Sequence, residues 1–459
     1  MSFEIPFSHI AEIIMGQSPK GEEVNNKGIG LPLLNGPTEF TDRYPVPVQH
    51  TAFAKKTSLP GDVLFCVRGS TTGRMNYSDQ KYCIGRGLAA IRGRNGYPTP
   101  YVKAVLETCL PELLAAATGS TFPNVSKDLI NNIPVNILPV ENACNISKLI
   151  ELQEEKVFTN NQINQTLEQM AQALFKSWFV DFEPVKAKMA VLEEGGSQED
   201  ATLAAMTAIS GKDADALEVF EREHPKKYAE LKSTAELFPS AMQVSDQGFI
   251  PEGWEYRKIG DYIDNISKTY PLKKVEQVVF LNTGDIKEGI FLHQNKSDVV
   301  SLPGQAKKSI REGDILYSEI RPVNKRFAYV YFNADEYVVS TKLMVLRPKS
   351  KELSYYLYFL LSSNGVVSYL QLMAESRSGT FPQITYDTVS DIKILTSPDE
   401  SVIKSFCKFL GENLYIPQQS IIKQNNMLTN IRDTLFPKLL SGEITLPEAE
   451  QAVSEAENV

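Results

Sequence analysis

Histidine is scarce in this chain. The four histidines (His9, His50, His224 and His293) lie far apart in the 459 residues, and none belongs to an H-E-x-x-H run. Neither a zinc hydrolase nor a histidine-based triad is supported by that pattern. The five cysteines (Cys66, Cys83, Cys109, Cys144, Cys407) are scattered with no C-x-x-C spacing, so a disulfide framework or a zinc cage is not indicated and buried reduced thiols are expected. No stretch approaches the roughly 18 consecutive apolar residues of a spanning helix. The N-terminus MSFEIPFSHI has neither a basic nor an apolar signal region, which predicts a cytoplasmic chain with no membrane partner.

Catalytic motifs are missing as well. There is no G-x-x-x-x-G-K-[ST] loop to cradle phosphates, and Gly28-Ile29-Gly30 and Gly85-Arg86-Gly87 lack the rest of a dinucleotide fingerprint, so both read as turns. No Asn or Asp precedes a Pro-Pro-aromatic run, the pattern that holds an extruded base in amino-methyltransferases. Asp314 and Glu319, followed by Ile320-Arg321, are spaced like a metal-dependent nuclease pair. A turn Asp beside a polar strand residue is the better reading.

What is present is a soluble, globular composition, with 42% hydrophobic and 22% charged residues, long enough for two to four domains. The formal net charge of −9 argues against nucleic acid, but its distribution argues otherwise. Residues 51–100 carry a local charge of +6 and residues 301–350 one of +4, whereas residues 181–250 carry −7. Screening limits attraction to roughly 8 Å at physiological salt, so a ligand meets the local patch rather than the total.

The second half re-reads the first. Leu34-Asn35 recurs as Leu281-Asn282, Gly61-Asp62-Val63-Leu64 as Gly313-Asp314-Ile315-Leu316, and Thr121-Phe122-Pro123-Asn124-Val125 as Thr380-Phe381-Pro382-Gln383-Ile384. Leu167 to Phe175 then aligns without gaps on Leu428 to Phe436. Four matches in one order predict a tandem duplication of a whole domain plus a helix, not a solenoid. Each half begins with short apolar runs between Gly, Pro, Asn and Thr, as in a strand-rich domain, with Leu106 to Ala117 the best helical candidate of the first. From Asn145 to about Val180, apolar residues at Ile146, Leu149, Ile150, Val157, Ile163, Leu167, Met170 and Leu174 fall at helical spacing. Such a helix would span roughly 54 Å and needs a partner along its flank.

The matching stretch, 401–442, is interrupted by Pro417, where a kink is expected. Packed as an antiparallel pair, the two would bury each other's stripes, with Gln153 and Asn160 fixing register at some loss of stability. The predicted organisation is a strand-rich domain at 1–144, a long helix at 145–180, an acidic helical insertion at 181–250 with an exposed loop at Leu192 to Asp200, a second strand-rich domain at 251–400, a helix at 401–442, and an acidic flexible tail at 443–459.

Polar and basic residues recur at corresponding places. Arg68-Gly69-Ser70-Thr71-Thr72-Gly73-Arg74 follows a predicted strand, with Arg86, Arg92 and Arg94 nearby. Arg can bridge guanine O6 and N7, Ser and Thr reach bases or phosphates, and Gly admits close backbone approach, so this reads as a DNA-contact loop. A solvated hairpin is the alternative. The second half places Arg321, Asn324, Lys325 and Arg326 in the equivalent segment. The turns holding Ser120 and Thr121 and holding Arg377 and Thr380 either approach the same surface or cap a short core strand.

At this point the chain resembles the specificity subunit of type I restriction-modification enzymes, over nearly its whole length. The most specific pieces are Leu174-Phe175-Lys176-Ser177-Trp178-Phe179-Val180-Asp181-Phe182, Ile250-Pro251-Glu252-Gly253-Trp254, and Arg432 to Ile444 (RDTLFPKLLSGEI). The resemblance implies an α+β fold: two target recognition domains, duplicated in tandem, separated by two long helices packed as an antiparallel coiled-coil-like spacer. It implies a non-catalytic subunit that reads a bipartite double-stranded DNA target and docks two modification (methyltransferase) subunits, with Phe175, Trp178, Phe179, Leu435 and Phe436 as candidate partner-facing side chains. Restriction/translocation subunits join the same complex. No cofactor is expected on this chain; S-adenosylmethionine, ATP and Mg2+ would belong to its partners. A free-standing DNA-binding regulator and a duplicated scaffold without nucleic acid are the competing readings.

Overall fold

The computed structural model describes residues 3–69, 71–117, 123–246, 248–377, 381–449 and 451. They form two compact units, one from 1–163 with 421–459 and the other from 164–420. Each contains strands and helices, an α+β composition, and the two repeat one plan.

In the first unit a four-stranded antiparallel sheet runs in the order Ala11–Met15, Leu88–Gly93, Val63–Cys66, Met75–Tyr77. A second sheet orders Val24–Asn25, Gln49–Thr51, Leu31–Leu34 and Cys83–Ile84, its last pair parallel. In the second unit, Ile263–Asn265, Leu343–Pro348, Ile315–Ser318 and Phe327–Tyr329 make the counterpart of the first sheet. The other sheet has Gln277–Leu281 parallel to Tyr337–Ser340, the same crossover. Register repeats too: Val63 faces Ile91 and Cys66 faces Leu88, as Ile315 faces Leu346 and Ser318 faces Leu343. The central strands are apolar on both faces because each is covered twice. Phe65 and Ile91 join one core of the first unit, while Leu64, Leu88 and Tyr82 join a second core.

The helix of the first strand-rich region spans Thr99–Ala115, starting earlier than expected because Pro98 and Pro100 suit a helix N-terminus, where a missing N–H loses no bond. The first long helix is Val140–Phe179, 40 residues, beginning five residues before the expected Asn145. The second is built of Ser401–Leu410, a π-helical turn Gly411–Tyr415, and Ile416–Ser441. The expected break at Pro417 is therefore a widened turn just before it: a proline has no N–H to give and its ring crowds the preceding turn, which the extra residue relieves. Within the first unit these helices run antiparallel, since Gln153 meets Leu428 and Asn160 meets Asn425.

The insertion folds into Glu183–Glu193, Gln198–Ser210, Ala214–Glu223 and Pro225–Glu236, followed by a hairpin of Met242–Ser245 and Gly248–Pro251. The exposed loop expected from Leu192 to Asp200 is shorter than that. Ser197 and Asp200 make a capping box that starts the second of these helices inside it. The acidic tail is not wholly frayed either. Thr445 caps a turn through Glu448, Ala449 is buried, and Ile444 and Leu446 pack on the first unit's core; residues 452–459 lie outside the described residues. No helix among the described residues is long and apolar enough to cross a membrane.

Candidate nucleic-acid interface

Each unit delivers one loop from its central strand, and a buried carboxylate fixes where the strand begins. Asp62 accepts from the Leu59 amide at 2.8 Å and from Arg92 Nη2 at 2.7 Å. Burial pushes its pKa up, against the bonds from Leu59 and Arg92. Asp314 repeats the arrangement, accepting from the Arg311 amide at 2.9 Å and from Arg347 Nε and Nη2 at 2.6 and 2.8 Å. Asp314 is thus a turn residue clamped by an arginine fork, and Glu319, half-buried near Lys342 at 3.8 Å, does not share a metal site with it. No group of His, Cys, Asp and Glu among the described residues could hold a metal ion.

The loops Arg68 to Arg74 and Ile320 to Arg326 are seven residues each and are closed by the same bonds. Cys66 N–H donates to Arg74 O at 2.9 Å, as Ser318 N–H donates to Arg326 O at 2.9 Å. Gly69 N–H donates to Pro123 O at 3.3 Å and Arg321 N–H to Pro382 O at 3.1 Å. Val125 N–H reaches Val67 O, and Ile384 N–H reaches Glu319 O, both at 2.9 Å. Bridges Arg68 with Asn124 and Ile320 with Gln383 complete the match. Pro123 to Val125 and Pro382 to Ile384, the described parts of the repeated segment, therefore brace the loop.

The side chains divide by what holds them. In the first unit Arg68, Arg74, Arg86 and Arg94 are exposed and make no side-chain hydrogen bond or ion pair with another described residue. Thr72 is not available, because its hydroxyl lies 2.8 Å from Gly69 O and 2.9 Å from Pro123 O. Thr71 sits against the Cys66 thiol at 3.8 Å. Gly69 and Gly73 turn the chain at φ of 97° and 96°, a region that suits glycine. In the second unit Arg321 and Asn324 are exposed. Lys325 stands 4.0 Å from Glu288. Arg326, expected to contact DNA, is instead occupied: its Nη1 donates to Gly284 O at 3.0 Å and Ile286 O at 3.1 Å. Arg377 is exposed and donates to Thr385 Oγ1 at 2.9 Å. Ser70, Ser120, Thr121 and Thr380 lie outside the described residues.

The candidate partner-facing side chains need correction. Phe175, Trp178 and Phe179 are 5%, 0% and 7% exposed and form the aromatic centre of the second unit, with Phe406, Tyr356 and Phe238. Phe436 is buried and Leu435 half-buried in the first unit's core. Their apolar surface is already covered within the chain. Between the paired helices, Gln153 Nε2 donates to Leu428 O at 2.9 Å, and Asn425 links Asn160 and Asn161 at 2.7 and 2.9 Å.

With this geometry in view, comparison with known proteins decides the family. The model of the type I restriction modification DNA specificity domain matches residues 5–169 and 251–449, once in each half. The chain belongs to the specificity subunits of type I restriction-modification systems. It is 32% identical over 411 residues to the type I restriction enzyme HindI specificity subunit of Haemophilus influenzae, covering 85% of this chain and 88% of that protein. The type I restriction enzyme MjaIX specificity subunit of Methanocaldococcus jannaschii is 21% identical over 404 residues, covering 85% and 79% of the two chains. In fold, the crystal structure of the type I restriction-modification S subunit from M. genitalium superposes with a TM-score of 0.51 at 13% identity, covering 96% of each chain. The duplicated loops described above are accordingly the DNA-reading candidates of a specificity subunit.

Proposed function

We propose that each unit of this specificity subunit reads one half of a bipartite double-stranded DNA target, through the loop Arg68 to Arg74 in one and Arg321 to Arg326 in the other. The observation that carries this reading is the identical bracing of the two loops around different letters, as two copies of one scaffold would need to read different bases. Exposed arginines at both supply phosphate neutralisation and base contact. The paired helices serve as the spacer and as the platform for two modification subunits, which use S-adenosylmethionine; restriction subunits add ATP and Mg2+ chemistry. The chain contributes no catalytic group of its own. Joining two weak readers makes the second contact effectively intramolecular, so binding tightens in the assembled complex.

The test is co-expression with the modification subunit, followed by mapping of N6-methyladenine in host DNA. A two-part methylated motif that vanishes without this chain is expected; no methylation, with this chain alone footprinting DNA, favours a free-standing regulator. Lengthening Val140–Phe179 by about four residues should lengthen the gap and leave both half-motifs unchanged. An altered half-motif at constant gap would remove the spacer role.

A further inference from the structure

The two loops share the bracing bonds given above, yet they differ in how the chain turns: Gly73 N–H donates to Cys66 O, whereas Lys325 N–H donates to Pro322 O. The positions occupied by Gly69 and Gly73 in the first unit are occupied by Arg321 and Lys325 in the second. Both are in the left-handed region, with φ, ψ of 45°, 76° and 52°, 44°. A side chain there meets its own backbone, which is why the copy uses glycine. Space does not explain the glycine at the first position, since a Cβ on Gly69 would meet nothing within 4 Å.

Lys325 and Arg326 have partners that account for them. Lys325 stands by Glu288, itself at φ 47° with its amide donating to Lys325 O at 2.8 Å, and Arg326 is held by two carbonyls. Arg321 has none: its amide braces the loop through Pro382, while its guanidinium is exposed and bonded to no described residue. A strained backbone kept for a side chain that bonds to no described residue points outward, to a ligand.

Resting on the DNA-reading function above, we infer that Arg321 is the specificity-determining residue of the second unit, placing its guanidinium fork on a guanine in the major groove. The first unit uses the same turn differently: Gly69 carries no side chain there, Gly73 is buried with its amide bonded to Cys66 O, and Arg68 and Arg74 supply the exposed cations. The two halves of the target are thereby read by unlike means from one loop. A fork with two parallel N–H donors matches guanine O6 and N7, and lysine cannot reproduce it.

The test uses the full chain co-expressed with its modification subunit. Arg321→Gly relaxes the turn, so this variant should melt no lower than wild type, assemble normally, and methylate the half-motif of the second unit at least about tenfold less selectively at one G·C pair. The other half-motif should be unchanged. Arg321→Lys should lose the same discrimination while keeping overall DNA affinity. Arg326→Ala, in contrast, should lower the melting temperature. If wild type yields a bipartite motif and Arg321→Gly leaves it intact, or weakens methylation equally at every position, Arg321 is not the reader. Absence of any motif with wild type would instead remove the underlying function.

Discussion

Asn160 donates through Nδ2 to Oδ1 of Asn425 at 2.7 Å, joining the antiparallel helices of the first unit at a position where Asn160 is 1% exposed. An amide pair between helices favours one register, because a slip leaves the buried Asn160 without its partner. Asn160→Ala and Asn425→Ala should each destabilise the chain, and the double variant less than their sum. A coupling of about 1 kcal/mol is expected from denaturation curves of the four proteins. Strict additivity would mean that the amides do not act together.

The duplication was legible because turns have strict chemistry: Gly61-Asp62 and Gly313-Asp314 use the same carboxylate to cap the same turn. The long helix was legible from spacing, and Gln153 and Asn160 proved to be the cross-helix polar contacts. What could not be read was the equivalence of Gly69 with Arg321, since letters of opposite conformational preference occupy one backbone shape. Arg326 read as a DNA contact because bonds to backbone carbonyls, here Gly284 and Ile286, leave no mark in a sequence. Trp178 read as partner-facing because its covering residues, Phe238 and Phe406, lie far along the chain.

That burial makes a second prediction. Trp178 is 0% exposed, with Phe238 edge-on at 5.2 Å and Phe406 tilted at 5.3 Å. Trp178→Ala opens a large cavity and should cost about 3–5 kcal/mol, seen as a lowered melting temperature and poor soluble yield. Trp178→Phe should retain most of the stability. A well-folded Trp178→Ala chain that fails only to bind its modification subunit would return this residue to the interface.

The Asp314–Arg347 fork predicts a contrast between neighbours. Removing the buried carboxylate leaves the half-buried Arg347 guanidinium and the Arg311 amide without their acceptor, so Asp314→Ala should cost about 2–3 kcal/mol, whereas Glu319→Gln should shift stability by only about 0.5 kcal/mol. In the first unit Arg92 also lies 4.0 Å from Glu12, so Asp62→Ala leaves it one carboxylate and should be milder. Melting of the three variants checks this; equal effects of Asp314→Ala and Glu319→Gln would contradict the structural role.

The clearest pH dependence belongs to Glu168. Burial pushes its carboxyl from the ordinary 4.5 up to about 7, opposed only by the bond from Gln172. It faces Tyr358 and Tyr415, whose own hydroxyls are held protonated far above their usual range by burial and by this carboxylate. Between about pH 4.5 and 7 the folded chain therefore keeps a proton that the unfolded chain has released, and stability falls as pH rises through that window. Glu168→Gln presents the neutral shape at every pH. It should match wild type at pH 5 and melt higher at pH 8, the gap opening across the window. A gap of equal size at both pH values would show that the substitution acts through packing rather than through the charge.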